Sequence, residues 1–363
     1  MELYVFDRDL NFIGINDSFT SLIWRRKYFK GGDFELNCSL TNKNLMLFAR
    51  GNIIYKKDNE AGYIEYRNMK QDTEGKEILV IKGKFLTGYF NRRIIWGTKI
   101  LNTTSEVAMR TLVSDNCISP SDTTRVIPNV MLGTLQGYTD TVDYQVSYAN
   151  LSDELENLSN ISNLGHRINL DITNKKLIFD VYKGLDHSVN QAINPRCIFS
   201  KEFENILEQE YVDSLNNYKN TCLVAGVGEG AARKTITINP NNIGLDRHEI
   251  FADQKSLSNE IDSVLMSDTD YNLLLTGKGN ELLATTLEIQ TFDSKVNLNS
   301  NLKYHIDYDL GDIVTVVNNP WGVVISPRIT DITEIYEEQG MSIEITFGSS
   351  IPTLITKIKQ LIK

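Results

Sequence analysis

Apolar and polar residues alternate one for one through much of this chain, a period of two that predicts half-buried strands. The clearest case spans 342–347, where Ile343, Ile345 and Phe347 fall on one face and Ser342, Glu344 and Thr346 on the other. Glu338-Gln339-Gly340 before it is turn material, and Asn318-Asn319-Pro320-Trp321-Gly322 separates two β-branched runs at 313–317 and 323–325. The chain folds back on itself twice here and closes in a β module. Strand-like runs also fill the N-terminal part, at 3–6, 33–38, 52–57, 62–69 and 77–85, each broken by Gly, Asn or Asp.

In the middle of the chain the period changes. Asn102-Thr103-Thr104-Ser105-Glu106 supplies capping residues ahead of Val107, Met109 and Leu112, and Ser152-Asp153-Glu154 does so ahead of Leu155, Leu158 and Ile161. Helices are therefore expected near 104–116 and 151–163, the second stopped by Gly165. Runs at 168–172 and 177–182 alternate around Asn174-Lys175 as a hairpin. Beyond Asn194-Pro195 strands are expected at 198–203, 212–218, 221–226 and 234–238, then a helix near 270–288. Leu354, Ile355, Ile358, Leu361 and Ile362 stand at helical spacing and predict a short amphipathic tail helix. The pattern thus divides into a β domain over 1–101, an inserted small α/β domain over 102–190, a β-rich domain over 191–290 and a C-terminal β segment over 291–363. One echo links the halves: Gly32-Asp33 after Tyr28 and Gly311-Asp312 after Tyr308 both place Gly-Asp at the entrance of a strand.

Composition narrows the functional classes. A chain of 363 residues is long enough for about two to three domains, and 41% hydrophobic with 23% charged residues is an ordinary globular balance. A net charge of −10 and a pI near 5.1 argue against a static nucleic-acid binder, because affinity for the phosphate backbone comes from neutralising it. A negative surface beside passing DNA would repel it, which suits a conduit. Cys38, Cys117, Cys197 and Cys222 are scattered and form no CxxC pair, so free thiols made in a reducing cytoplasm are expected. The first residues lack the basic start and apolar run of a signal peptide, and no segment approaches the roughly eighteen apolar residues of a membrane span.

Three patterns invite a chemical reading. Gly226-Val227-Gly228-Glu229-Gly230-Ala231-Ala232-Arg233 nearly matches a dinucleotide fingerprint, but Lys234-Thr235-Ile236-Thr237-Ile238 after it alternates as a strand. The fingerprint needs a helix there, with its N-terminal amides on the pyrophosphate, so a glycine-rich turn between two strands is expected. His305, Asp307 and Asp309 stand two apart and on a strand would share one face as a metal-ligand row; a solvated outer face or an intersubunit contact is the plainer reading. Trp24-Arg25-Arg26-Lys27-Tyr28 and Arg92-Arg93 interleave basic and aromatic residues, a composition shared by nucleic-acid surfaces, polysaccharide surfaces and protein interface hot spots. Spacing supports no nucleophilic triad and no zinc hydrolase site, so no catalytic, cofactor or metal residue is assigned and the chain is expected not to be an enzyme.

The opening Tyr4-Val5-Phe6-Asp7, Ile13-Gly14-Ile15, Ser21-Leu22-Ile23-Trp24 and Gly32-Asp33-Phe34-Glu35-Leu36 resembles that of phage tail hub proteins, which sit at siphovirus tail tips or contractile baseplates. Asp307-Tyr308-Asp309-Leu310-Gly311-Asp312-Ile313-Val314, Trp321-Gly322, Arg328-Ile329-Thr330 and Thr346-Phe347-Gly348 resemble the same family's ending, with Gly228-Glu229-Gly230 and Arg233 between. The resemblance implies a mainly β chain with α+β insertions: two tail-tube-type antiparallel β-barrels plus smaller α/β domains, the second barrel completed by 291–363. It implies a homotrimer that meets the tail tube or distal tail protein on one side and a spike or fibre on the other, with the tape measure protein a further partner. It places the protein in the virion tail after assembly in the host cytoplasm, without a cofactor, and any lytic activity in a separate protein. Trp24, Arg25, Arg26, Trp96, Trp321, Leu354 and Ile358 are the expected interface residues. The alternative is a carbohydrate- or receptor-binding tail module, in which the exposed aromatics would line a cleft.

Overall fold

A computed structural model describes residues 1–57, 60–71, 73–261 and 264–348. The N-terminal strands are β1 (Leu3–Phe6), β2 (Phe12–Asn16), β3 (Phe19–Lys27), β4 (Asp33–Ser39), β5 (Ile53–Tyr55), β6 (Ala61–Gln71) and β7 (Glu77–Phe85), with α1 (Asn42–Leu47) between β4 and β5. The middle holds β8 (Thr98–Thr104), α2 (Ser105–Val113), β9 (Val130–Leu132), β10 (Thr141–Ser147), α3 (Leu151–Ser162), β11 (Gly165–Asp171) and β12 (Lys176–Tyr182). Then come β13 (Ile198–Ser200), β14 (Ile206–Ser214), β15 (Thr221–Ala225), β16 (Thr235–Ile238), β17 (Glu249–Asp253), β18 (Glu260–Ile261), β19 (Val264–Leu265) and α4 (Asp268–Ala284). The last strands are β20 (Ile289–Val296), β21 (Thr315–Asn318), β22 (Val323–Ile325), β23 (Ile329–Glu337) and β24 (Gly340–Gly348). The fold is mainly β with a few helices, as the alternation predicts. The expected tail helix, with Leu354 and Ile358, lies outside the described residues.

One antiparallel sheet organises the molecule, in the order β14-β20-β24-β23-β3-β4-β7-β6-β5-β1-β2. It contains one plan twice. In chain order β3, β4, β6 and β7 stand in space as β3-β4-β7-β6, and β14, β20, β23 and β24 stand as β14-β20-β24-β23. The two runs meet where β23 pairs with β3, from Asp331 opposite Lys27 to Glu337 opposite Ser21. Each run curls over its own core. Leu22, Trp24, Phe34, Leu36, Ile64 and Ile81 fill the first, and Phe292, Val296, Ile332, Ile345 and Phe347 fill the second with Phe199 and Val316 from the short sheet β13-β21-β22. Burying each such aromatic or aliphatic side chain contributes about 1.5–3 kcal/mol.

The middle units sit on this frame. The β8–β10 ribbon, α2, α3 and the β9–β12–β11 sheet share a third core that reaches Phe6, Ile53 and Tyr63 of the N-terminal run. Residue 101, expected as a boundary, falls inside β8, whose partner is β10. A fourth core packs α4 on β15, β16 and β17. Asn150 rather than Ser152 caps α3, its side chain accepting from the Ser152 amide, and Asn163 in the left-handed conformation ends it. Gly165, expected as the stop, begins β11 instead. A Cβ there would stand 2.5 Å from the Tyr28 ring, and one on Gly311 (φ +94) 2.3 Å from it. Glycine at 311 thus clears space for the buried Tyr28, and the Gly-Asp echo is no trace of the repeat, since Asp33 opens β4 while Asp312 lies outside the second run.

All four cysteines are buried and free. Burial pushes the Cys117 and Cys197 thiols up to about 12 and those of Cys38 and Cys222 up to about 11, far from the thiolate range that reacts. Native protein should therefore resist a thiol reagent at pH 8 while unfolded protein takes up four equivalents; fast native labelling at any of the four would contradict the packing.

Candidate functional site

The seam between the two runs carries the most concentrated charge in the interior. On β3, Leu22, Trp24 and Arg26 follow the strand period and all point inward, as does Tyr28 just past its end, so Arg26 is only 4% exposed. Its guanidinium meets the Glu60 carboxylate through Nε, and through Nη1 donates to Asp309 Oδ1 at 2.6 Å and the Tyr304 hydroxyl at 2.7 Å. The Tyr304 hydroxyl in turn donates to Glu334 Oε1 at 2.9 Å. Glu334, fully buried opposite Trp24, also accepts from Lys56 Nζ and the Tyr336 hydroxyl, both at 2.6 Å. The Lys56 ammonium lies 5.7 Å from the Trp24 ring centre and 5.8 Å from that of Tyr336.

The pairing decides the charge states. Burial pushes Asp309 up, but the hydrogen bond to His305 and the Arg26 charge outweigh it and hold the carboxyl well below the usual carboxylate range. Burial likewise raises Glu334, and Lys56 more than reverses it. Arg26 stays charged because Glu60, Tyr304 and Asp309 overcome its desolvation. Two cations and three carboxylates from four distant segments thus form one cross-brace between the runs. Such a brace is worth more in fixing one docking of its parts than in net stability.

The structure separates the residues that the sequence grouped as an interface. Trp24 is fully buried and stacks on Phe34 with ring centres 5.5 Å apart, so it belongs to the core. Arg26 belongs to the brace. Arg25, one position earlier, faces outward and pairs with Asp33 at 2.9 Å. The expectation of a common Trp-Arg-Arg surface is therefore corrected: neighbours on a strand point to opposite faces. Trp96 is 49% exposed beneath the Arg125 guanidinium, 4.1 Å from its ring centre, and Trp321 is 50% exposed on the β21–β22 turn.

The other motifs resolve as packing. The glycine loop after β15 turns back into β16, with Arg233 donating to the Gly226 and Ala225 carbonyls, each at 2.9 Å, and the Tyr271 hydroxyl accepting from the Val227 amide at 2.9 Å. Arg233 and Tyr271 thus close the loop from within. His305, Asp307 and Asp309 do not share a strand face, because His305 at φ +65 breaks the extended backbone. Asp307 caps the Lys303 amide at 2.7 Å while Asp309 joins the brace. Glu60, Lys56, Tyr304 and Glu334 were not singled out from sequence. Charges at core-parity positions, Arg26 after Leu22 and Trp24 and Glu334 after Ile332, were the available signal.

The opposite face of the sheet is largely polar, with an apolar pair, Ile23 and Ile335, at the seam. Glu208, Lys295, Glu344, Thr333, Arg25, Asp33 and Lys84 are successive cross-strand partners over seven strands, from β14 through β20, β24, β23, β3 and β4 to β7. Signs largely alternate along this row, which favours it. The parallel row Glu210, Asp293, Thr346, Asp331 and Lys27 is acidic, and burial raises the Asp331 carboxyl despite Lys27 and Lys30.

This architecture is that of tail proteins. A tail protein from Neisseria meningitidis MC58 aligns at TM-score 0.58 and 12% identity over 96% of this chain and 97% of its own. The prophage MuSo2 43 kDa tail protein of Shewanella oneidensis aligns at TM-score 0.56 and 11% identity, covering 96% and 98%. Prophage tail protein gp18 of Listeria monocytogenes EGD-e aligns at TM-score 0.56 and 12% identity, covering 100% and 98%. No curated protein matches the sequence. Residues 2–349 match the model of the Siphovirus ReqiPepy6 Gp37-like proteins, and the chain belongs to that family of phage tail proteins. It is a structural component of a virion tail.

Proposed function

We propose that this chain is the hub of a phage or phage-like tail, a homotrimeric ring that joins a hexameric tail tube to a trimeric spike or fibre and gates passage between them. The repeated four-stranded plan is the observation that carries this reading. One chain offers two like modules side by side, so three chains offer six, and a ring so built presents pseudo-sixfold symmetry to a tube while keeping true threefold symmetry for a spike. The polar face of the sheet, mixed in sign and acidic in excess, suits the wall of a channel through which a polyanion must move without sticking. No covalent step is required of any residue in this reading.

Light scattering of the purified full chain, alone and with the neighbouring tube and spike proteins, tests the proposal. A mass three times that of the chain in either condition is expected. A monomer indifferent to both partners overturns the hub and favours the glycan-binding alternative, which replacement of Trp321 would then probe.

A further inference from the structure

The two runs agree in more than strand order. In the first, the β3–β4 register slips between Phe19 and Ser21 and the β6–β7 register between Ile64 and Tyr66. In the second, β14–β20 slips between Ile206 and Glu208 and β23–β24 between Ile329 and Asp331. Matching Ile64 with Ile329 at the second slip makes Gly83 equivalent to Phe347, then Phe34 to Phe292 and Trp24 to Tyr211 through their cross-strand partners. The same equivalence brings Phe19 onto Ile206 and Ser21 onto Glu208, so the first slip coincides as well without adjustment. Two bulges landing together mark a genuine structural repeat, since a bulge is a specific local feature of a strand pair.

The repeat has one joint inside the chain, β23 on β3. The equivalent strands are β6 and β14, and both present an open flank: β14 ends the sheet, and beyond its contact with β5 at 61–63 the outer half of β6 pairs on one side only among the described residues. We propose that the outer half of β6 receives β14 of a second copy, in the register of the in-chain joint. This inference rests on the ring reading above and names its contact. Carrying Asp331–Lys27, Ile332–Arg26, Glu334–Trp24 and Ile335–Ile23 across the equivalence sets Tyr66 opposite Ser214, Arg67 opposite Asp213, Met69 opposite Tyr211 and Lys70 opposite Glu210. Charge played no part in fixing this register, yet both cations meet acids. Met69 (53% exposed) meets an aromatic ring, a favourable sulfur contact, and Arg67, whose Nε has no hydrogen-bond partner among the described residues, meets an acid. A slip of one residue would lose both ion pairs and turn every side chain to the wrong face. The contact is heterologous, one flank against a different flank, and such a contact closes into a ring when its rotation divides the full turn.

The full chain carrying both Met69→Cys and Tyr211→Cys, oxidised alone or with the tube and spike proteins, should give a covalent ladder that stops at three chains, while each single variant stays uncross-linked. Lys70→Glu should weaken assembly about fivefold per contact, and adding Glu210→Lys should restore it. A trimer that forms but resists this cross-link, and ignores the charge reversal, overturns the proposed joint and leaves the hub standing. Absence of any trimer overturns both. Cross-linking through Met69→Cys alone would mean a two-fold contact and also overturns it.

Discussion

Arg26→Ala should cost about 3–5 kcal/mol of stability, read as a lowered denaturant midpoint, because it strands the buried Glu60 carboxylate and takes a charge partner from Asp309. Glu60, 7% exposed, would lose its cation, the half-exposed Asp309 would keep only His305 beside it, and the Tyr304 hydroxyl would lose a donor, in a site where Arg26 itself is 4% exposed. The chain supplies its own control. Arg25 sits one residue earlier on the same strand with an ion pair of similar length, but its side chain is 36% exposed and its partner Asp33 35%, so Arg25→Ala should cost under about 1 kcal/mol. Equal costs for the two variants would remove the argument that the brace ties the two runs together. Because the brace joins segments near 26, 56–60, 304–309 and 334, its loss should also loosen the β3–β23 joint, visible as faster amide exchange along β23 relative to β4.

Local chemistry was legible in the sequence, and distant pairing was not. Alternation at 342–347, the turn at 318–322 and the helices near 105 and 151 fold as the residues dictate, because period and capping act within a few positions. The helix near 270 starts at Asp268, where the Ser267 side chain accepts from the Asp270 amide, and the strand expected at 212–218 runs instead over β14. Those are boundary errors. The larger miss was that the first and last segments share one sheet: nothing local to Ile23 announces Ile335 as its partner. The brace escaped for the same kind of reason, as Glu60, Asp309 and Glu334 lie 34 or more positions from Arg26 and become its neighbours only in the folded sheet. The repeat itself left its trace in bulge positions, which sequence does not display, and not in the Gly-Asp echo that sequence did display.

Acid should weaken the fold through His166, beginning near pH 6.5. Its imidazole lies on β11, 3% exposed, with Nδ1 2.8 Å from the buried Ser159 hydroxyl of α3 and the Phe179 ring beside it. Burial among these groups, with no acid to offset it, brings the ring down from 6.5 to about 4. The unfolded chain therefore binds a proton that the folded chain refuses between pH 6.5 and 4, so stability is full above that window and falls as pH drops through it. The loss should total about 3 kcal/mol, at up to about 1.4 kcal/mol per pH unit. His166→Gln isolates the effect whatever the variant costs at neutral pH, since raised carboxylates such as Glu154 and Asp331 are common to both proteins. The gap in unfolding free energy between wild type and variant should shift against wild type by that amount on acidification from pH 7 to 4. A gap that stays constant would mean that the ring is solvated or charged in the folded state, and that the α3–β11 packing is looser than its geometry indicates.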